Sequence, residues 1–335
     1  MKITTLTRCS LALAAALGLP LVASAQALFV GDGQNDTVEA VDAGSGKHLG
    51  TFVHSSIDTG TYKLAGPRGI IFAGNVMLVV NQNVNQPFPG EILKFDADTG
   101  AFIGALVPSS DPHAPFAPRG IVAGPDDTIY VADAGNFDNV HPGRVERFDA
   151  QGNFLGQLNP SGFGAGFFPR GLVFGPDGYL YVSVTGNLAA GDRGSGYILR
   201  FNPLTGAFVD VVGSQSQGLH RPEGLVFGPD GNLYVTSFLF GADKDAILRF
   251  STGGVLQGSL PLYPDGAPRV FAQALLFGPQ GDLFVGITSG TGVRRYSAAA
   301  NFGTYTSLPV KGNSLNQPWY LTFRATNPST LAYQP

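Results

Sequence analysis

The stretch Pro169-Arg170-Gly171-Leu172-Val173-Phe174 is one copy of a six-residue phrase that recurs along this 335-residue chain. Three further copies keep the Pro-x-Gly start and an apolar end, and two weaker copies keep mainly the apolar end. These five copies occupy residues 67–72, 118–123, 222–227, 272–277 and 318–323. Successive copies follow one another in steps of 46 to 53 residues, a period typical of repeat architectures.

Each copy opens a unit of four short predicted strands. A Gly-Pro-Asp-Gly type turn follows, as at 175–178, and then a second β-rich run such as 129–131. A polar loop leads to a third run such as 144–148, and a tight turn leads to a fourth such as 154–158. Turn residues stand where antiparallel hairpins need them. The sequence therefore predicts an all-β fold, a six-bladed β-propeller of four-stranded antiparallel blades.

The two ends of the chain are predicted to share one blade and so to close the ring. The last copy supplies a first strand, after which the chain ends, and residues 27–53 supply the remaining three. A ring of blades that does not close would leave a sheet edge unpaired. Residues 330–333 could instead provide the second strand, but we favour 27–30 because that segment continues directly into the third and fourth strands.

The first 25 residues are typical of an export signal. Lys2 and Arg8 give a basic start, residues 11–22 are apolar but too short for a membrane span, and residues 23–25 form a small-residue cleavage site. We therefore expect an exported protein, periplasmic or extracellular, whose residues 26–335 form a single propeller domain. No later stretch is apolar enough to span a bilayer.

Composition narrows the possible functions without naming one. The only cysteine, Cys9, lies in the predicted signal, so the mature chain would have no disulfide and no thiolate chemistry. A formal net charge of −4 and the lack of a Lys-rich run argue against binding to nucleic acid. A chain with 44% hydrophobic residues is expected to be folded.

The units resemble NHL-type repeats, and the resemblance covers nearly the whole mature chain. The best match runs from Pro-Arg-Gly-Ile at 118–121 to Tyr-Val-Ala-Asp-Ala-Gly-Asn at 130–136. The wider six-bladed group also resembles gluconolactonase-like hydrolases, strictosidine synthase-like proteins and amidating lyases. The resemblance thus implies the fold and leaves the function open.

The connections divide into two classes by length. Turns between first and second strands, and between third and fourth strands, are short. The other connections are long and varied, as at 54–66, 81–90, 108–117, 133–143, 160–168, 185–196 and 261–271. In an up-and-down blade both long classes lie on one side of the ring, which we call the long-loop face, opposite the short-turn face. Loops that are long without structural need often carry function.

The residue between Pro and Gly is predicted to lie at the channel mouth on the long-loop face, because the first strand of a blade is the innermost. Around the ring this position reads Arg68, Arg119, Arg170, Glu223, Gln273 and Trp319. Three converging guanidiniums repel one another unless an anion lies among them, and arginine binds carboxylate or phosphate in a bidentate way. We therefore expect a site for a small anionic ligand, with Trp319 as a stacking wall. Alternatively, each arginine pairs with a loop carboxylate such as Asp133, or with backbone carbonyls.

The same positions bear on the possible chemistry. The resemblance to gluconolactonase-like hydrolases implies a divalent metal held by Glu, Asn and Asp, two of them between Pro and Gly. Here only Glu223 could be such a ligand, so no cofactor is evident, although a divalent metal stays open. The histidines show no zinc-ligand spacing. His220 lies near the predicted mouth and is a candidate acid–base group beside Glu223.

Three classes of function remain. The first is binding, either of a small anionic ligand through Arg68, Arg119, Arg170, Gln273, Trp319 and Asp133, or of an extracytoplasmic protein partner. The second is a lyase or hydrolase acting on a carboxylate- or lactone-type substrate, with Glu223 and His220 moving protons and without Cys or Ser-triad chemistry. The third is a protein-interaction scaffold. We rank binding first, because no complete catalytic set can be assembled, and we expect a monomer.

Overall fold

A computed structural model describes residues 26–57, 60–136, 140–187, 191–192, 194–238, 245–262, 270–288, 292–302, 305–308 and 315–334. The predicted export signal at 1–25 lies outside these residues. Six sheets of four antiparallel strands form a ring, which confirms the predicted six-bladed β-propeller. Within the described ranges, no helix has the length and apolar character needed to cross a membrane.

The strands follow the chain blade by blade. The closing blade contains β1 (Ala27–Asp32), β2 (Thr37–Asp42) and β3 (His48–Val53). Blade 1 contains β4 (Pro67–Ala73), β5 (Val76–Asn81), β6 (Glu91–Asp96) and β7 (Phe102–Val107). Blade 2 contains β8 (Pro118–Ala123), β9 (Ile129–Asp133), β10 (Arg144–Phe148) and β11 (Phe154–Gln157). Blade 3 contains β12 (Phe168–Phe174), β13 (Leu180–Thr185), β14 (Gly196–Phe201) and β15 (Phe208–Ser214).

The remaining strands complete the ring. Blade 4 contains β16 (Leu225–Phe227), β17 (Leu233–Ser237), β18 (Ala246–Phe250) and β19 (Leu256–Pro261). Blade 5 contains β20 (Ala272–Phe277), β21 (Leu283–Ile287), β22 (Gly292–Tyr296) and β23 (Tyr305–Leu308). The last strand, β24 (Pro318–Phe323), belongs to the closing blade. Short 3-10 turns occur at Gln215–Gln217, Pro279–Gly281 and Ala298–Ala300.

The closing blade is built as the sequence predicts. Strand β1 pairs with β2 on one side and with β24 on the other, so Leu28 lies opposite both Val41 and Phe323. The N-terminal segment, rather than residues 330–333, is therefore the second strand. The C-terminal tail instead crosses the short-turn face. There the Ala123 N–H donates to the Pro328 carbonyl (3.0 Å) and the Phe174 N–H donates to the Ser329 carbonyl (3.1 Å).

Neighbouring blades pack through a repeated pair of aromatic rings. One ring comes from the second strand of a blade and the other from the end of the innermost strand of the next blade. The ring centroids lie 4.9 to 5.5 Å apart in the pairs Phe29–Phe72, Tyr130–Phe174, Tyr181–Phe227, Tyr234–Phe277 and Phe284–Phe323. Each such pair contributes about 0.5–1.5 kcal/mol beyond the burial of its area.

The glycine of the Pro-x-Gly phrase is needed where the innermost strands converge on the axis. A Cβ on Gly69 would lie 2.9 Å from the Arg119 carbonyl oxygen, and one on Gly120 would lie 2.8 Å from that of Arg170. A larger residue would push neighbouring blades apart. This close approach also sets the side chains before each glycine at the axis.

Replacing Phe29 by alanine tests the closing blade. Phe29 is fully buried and its ring contacts those of Phe52 (4.8 Å) and Phe72 (5.0 Å). We expect Phe29→Ala to lower the free energy of unfolding by about 3–5 kcal/mol, as measured by denaturant unfolding. The control, Leu204→Ala, removes a side chain that is 89% exposed and should change it by less than about 0.5 kcal/mol. Equal effects of the two substitutions would contradict the role of β1 in closure.

Candidate functional site

The six side chains at the second position of the repeated phrase line one small cavity at the mouth of the channel. Its volume is about 40 Å³, and its lining includes Arg68, Arg119, Arg170, Glu223, Gln273, Trp319 and Tyr320. The repeat places the first six there, because each follows the loop that enters the innermost strand of its blade. The cavity has room for one or two waters or for a single anionic group.

Arg68 is held by two amides and a ring. Its Nε donates to Gln82 Oε1 (2.8 Å), and its Nη1 donates to Gln273 Oε1 (2.7 Å). The guanidinium carbon lies 3.5 Å from the centroid of the Trp319 ring, a cation–π contact. One face of Trp319 is therefore covered by Arg68, and Gln273 orients this arginine.

Trp319 can lie this close to the axis because a glycine faces it. A Cβ on Gly33 would be 1.9 Å from Cε3 of the Trp319 ring, so no other residue fits there without moving the ring. Gly33 follows β1 in the closing blade. The N-terminal part of the chain thus shapes a site whose tryptophan comes from its C-terminal part.

Of the acidic side chains in the described ranges, only Glu223 lines the cavity. Its Oε1 lies 3.8 Å from Nη1 of Arg170, and both side chains are nearly inaccessible to solvent. Its backbone is fixed on both sides. The Glu223 N–H donates to Thr236 Oγ1 (3.0 Å), and Ser183 Oγ donates to the Glu223 carbonyl (2.6 Å). These hydrogen bonds fix the backbone that carries the carboxylate, and the carboxylate itself contacts Arg170.

Arg119 has hydrogen-bonding capacity that its neighbours leave unused. Its Nε is buried and has no hydrogen-bond partner within the part of the chain that the structure describes. Burial, and then the charge of Arg170, lower the pKa of Arg119 to about 10. The side chain is still charged at neutral pH, so a buried N–H of a cation faces the mouth without an acceptor.

Among the side chains that the structure describes at the mouth, positive charge exceeds negative charge. Burial acts to raise the pKa of Glu223, but the surrounding guanidiniums outweigh burial and lower it, so the carboxylate is ionised at neutral pH. Burial, together with the charges of Arg119 and Arg170, lowers the pKa of Arg68 well below its ordinary value, against the opposing effect of Glu223. One carboxylate thus faces several guanidiniums, and the arrangement favours an additional anion.

Sequence reasoning missed two residues of this region. Arg221 contributes to the low pKa of Glu223, and its guanidinium carbon lies 4.8 Å from the centroid of the Phe238 ring. The sequence feature that could have pointed to it is an arginine directly before Pro222. Tyr320 stands where four copies have the glycine of Pro-x-Gly, and burial raises the pKa of its hydroxyl.

Tyr320 also lies where two small cavities adjoin at the axis. It lines both the cavity at the mouth and a second cavity of about 30 Å³ beneath it. The lower cavity is mainly apolar and includes Leu321 and the buried Leu331 of the C-terminal tail. Two small cavities thus adjoin each other at the axis, and the arginines line only the one at the mouth.

Asp133 lies outside the cavity and is occupied by backbone groups. Its carboxylate accepts hydrogen bonds from the N–H groups of Phe116 (2.9 Å), Ala117 (2.7 Å) and Gly135 (3.0 Å). Arg144 Nε lies 3.4 Å from its Oδ2. Asp133 therefore fixes the loop that enters β8, and it reaches Arg119 only through its charge, which opposes the lowering of that pKa.

His220 is also not brought to the arginines. Its Nδ1 lies 2.6 Å from the Gly194 carbonyl oxygen, and its backbone N–H donates to Ser237 Oγ (3.0 Å). The ring is not among the groups that line the mouth. The predicted acid–base pair of His220 and Glu223 is thus not assembled in this structure.

The donor set at the mouth does not fit a divalent cation. Such ions take several oxygen ligands, preferably carboxylates, whereas Glu223 is surrounded by guanidiniums. Elsewhere in the described ranges, no three His, Cys, Asp or Glu side chains come together as a metal site needs. We therefore derive no chemistry through a metal.

The fold and the mouth define the class, a six-bladed propeller with a charged axial site, and solved structures share this fold. The chain is 18% identical to the hydrazine synthase of Kuenenia stuttgartiensis, with a TM-score of 0.57 over 85% of this chain and 78% of that one. It is 14% identical to the virginiamycin B lyase of Staphylococcus aureus, with a TM-score of 0.55 over 88% and 84%.

A gluconolactonase of Xanthomonas campestris is 19% identical, with a TM-score of 0.52 over 75% of this chain and 78% of that one. At these identities the likeness concerns the fold alone, and at that level it confirms the resemblance to the gluconolactonase-like group. No model of a protein family matches the sequence, and the search of curated proteins gives no match.

Replacing Glu223 by glutamine tests the electrostatics of the mouth. Because the partner guanidiniums would stay buried, we expect Glu223→Gln to lower the free energy of unfolding at pH 7 by about 3–5 kcal/mol. The folded pKa of Glu223 is lower than its ordinary value of 4.5. Its contribution is therefore present above pH 4.5 and is lost as the pH falls through the folded pKa. Denaturant unfolding should show a smaller difference in the free energy of unfolding between variant and wild type at pH 3 than at pH 7.

The control for this substitution is Asp98→Asn. Asp98 is largely exposed and pairs with Arg324 at 2.8 Å on the surface, so its loss should cost no more than about 1 kcal/mol. If Glu223→Gln is as stable as the wild type at pH 7, the arginines do not depend on this carboxylate.

Proposed function

We propose that this protein is an exported NHL-type β-propeller that binds a small anionic ligand at the mouth of its channel, on the long-loop face. The observation that carries the proposal is the excess of buried guanidinium charge around Glu223, with the Arg119 Nε left without an acceptor. A carboxylate or phosphate group would provide both the missing charge and the missing acceptor.

The size of the mouth limits what enters it. About 40 Å³ admits one anionic group, so the rest of a larger ligand would lie outward among the long loops. One face of Trp319 is stacked against Arg68. A ligand would therefore contact Trp319 and Arg68 together. We infer that the ligand carries a single carboxylate or phosphate on a small body, as sugar acids and small organic acids do.

A lyase or hydrolase is the second candidate, favoured by one observation, the fixed carboxylate at the mouth. The names of two structural neighbours, a lyase and a gluconolactonase, suggest substrates to try. Binding ranks higher because the lowered pKa makes Glu223 a weak proton acceptor at neutral pH. His220 does not line the mouth, so no second proton carrier is in place.

A thermal-shift screen of residues 26–335 tests the binding proposal. The ligands are sugar acids, uronates, dicarboxylates and phosphates, with Mg²⁺ and Ca²⁺ as cation controls. At 100-fold excess over the dissociation constant, an anion should stabilise the protein by about 2.7 kcal/mol. Arg119→Gln should abolish this shift. Without ligand that variant should be no less stable than the wild type, because one like charge has been removed.

The matched control is Arg249→Gln, which makes the same change in net charge. Arg249 lies outside the mouth, 3.6 Å from Asp230, so the anion-dependent shift should persist. A shift lost equally in both variants would reflect net charge only, and the absence of a shift with every anion would overturn the proposal.

A turnover assay separates binding from catalysis. The wild type and Glu223→Gln are incubated with lactones, uronates and esters, and product is followed by chromatography. Because no complete catalytic set lines the mouth, we expect ligands that bind to be recovered unchanged. Turnover by the wild type that Glu223→Gln abolishes, while still binding ligand, would make the protein an enzyme. Neither binding nor turnover, with protein partners co-purifying, would favour the scaffold.

A further inference from the structure

The pair of aromatic rings that packs five of the six gaps between blades is missing from the gap between blades 1 and 2. Strand register places Leu78 opposite Ile71, just as Tyr130 lies opposite Val122 in the next blade. The other ring position, the end of the innermost strand, is Ala123 in blade 2. The five other innermost strands have phenylalanine there, at 72, 174, 227, 277 and 323.

The missing rings leave a cavity of about 550 Å³ on the short-turn face. Its walls are mostly apolar and include Val76, Leu78, Leu106, Ala123 and Ile129. Residues 327–329 of the C-terminal tail form one side, held to the innermost strands by the hydrogen bonds described above. The volume falls within the range of about 300–1,000 Å³ for small-molecule sites.

A single cation lines this cavity. Lys94 lies opposite Leu78 on the adjacent strand, where the next blades have an arginine opposite an aromatic residue. Three of those arginines form ion pairs with carboxylates in or beside the turn after the innermost strand, namely Arg200–Asp177, Arg249–Asp230 and Arg295–Asp282.

The corresponding turn of blade 1 is Gly74-Asn75 and has no carboxylate. Over the described ranges, Lys94 accordingly forms no ion pair or side-chain hydrogen bond. Asp127, exposed to solvent, is the one acidic residue among the described residues that line the cavity.

We propose that this cavity binds a small monocarboxylate with an aromatic body. The ring would replace the missing pair between the blades, and the carboxylate would meet the unpaired ammonium group of Lys94. A second negative charge on the ligand would be repelled by Asp127. This site lies on the face opposite the axial arginines and does not rest on the function proposed for them.

Calorimetric titration of the protein with 1-naphthoate tests this proposal, with the neutral 1-naphthamide as the matched ligand. We expect naphthoate to bind at least tenfold more tightly than naphthamide. Lys94→Met keeps the length of the side chain and removes its charge. It should weaken the binding of naphthoate at least tenfold and leave the binding of naphthamide unchanged. Ala123→Phe, which restores the residue of the other five gaps, should abolish binding of both ligands.

Two controls make each outcome decisive. Ala123→Phe should melt no lower than the wild type, since it fills a cavity with the residue that the repeat uses elsewhere. If it fails to fold, Leu78→Tyr serves as the second filling variant. Arg249→Gln removes one positive charge at the position of blade 4 that corresponds to Lys94, and it should leave naphthoate binding unchanged. No binding at millimolar naphthoate, binding that survives Lys94→Met unchanged, or binding lost equally in Arg249→Gln would each overturn the proposal.

Discussion

The close approach of the innermost strands around the axis is the constraint on which the rest of the structure depends. In four of the six blades the innermost strand lies so near a backbone carbonyl of the next blade that only glycine fits, as at Gly69 and Gly120. The residue before each glycine then points to the axis, whatever its chemistry. Arginine in this position in three successive blades therefore concentrates charge at the mouth, and the fold has no freedom to spread it.

The arginines at the mouth differ in how completely their charges and N–H groups find partners. Arg68 is satisfied by Gln82, Gln273 and the Trp319 ring, whereas Glu223 balances only part of the remaining charge. Side chains that served only to stabilise the ring would not need several buried guanidiniums, because burying a charge costs free energy unless it is fully paired. The excess of positive charge among the described residues at the mouth therefore supports the anionic ligand that we propose.

The repeat made most of the fold, and part of the site, predictable from sequence. It fixed the number of blades, the shared closing blade and the six side chains at the mouth. It could not predict what these side chains bind, because the partners of Arg68 come from loops and blades distant in sequence. It also suggested Asp133 as a partner, yet that carboxylate is taken by the Phe116 and Ala117 amides. Such contacts depend on the path of long loops, which has no periodic signal.

Because the blades repeat, equivalent positions can be compared within one chain. The residue that most blades share shows what packing alone requires. Positions that keep the common residue, such as the glycines and the aromatic pairs, are accounted for by convergence and by blade-to-blade contact. A blade that lacks the common residue loses packing contacts, so the exception needs another explanation. Tyr320 in place of glycine lines both small cavities at the axis. Leu78 and Ala123 in place of two rings open a cavity around Lys94. The two candidate sites thus arise where the repeat is broken, one at the axis and one between blades.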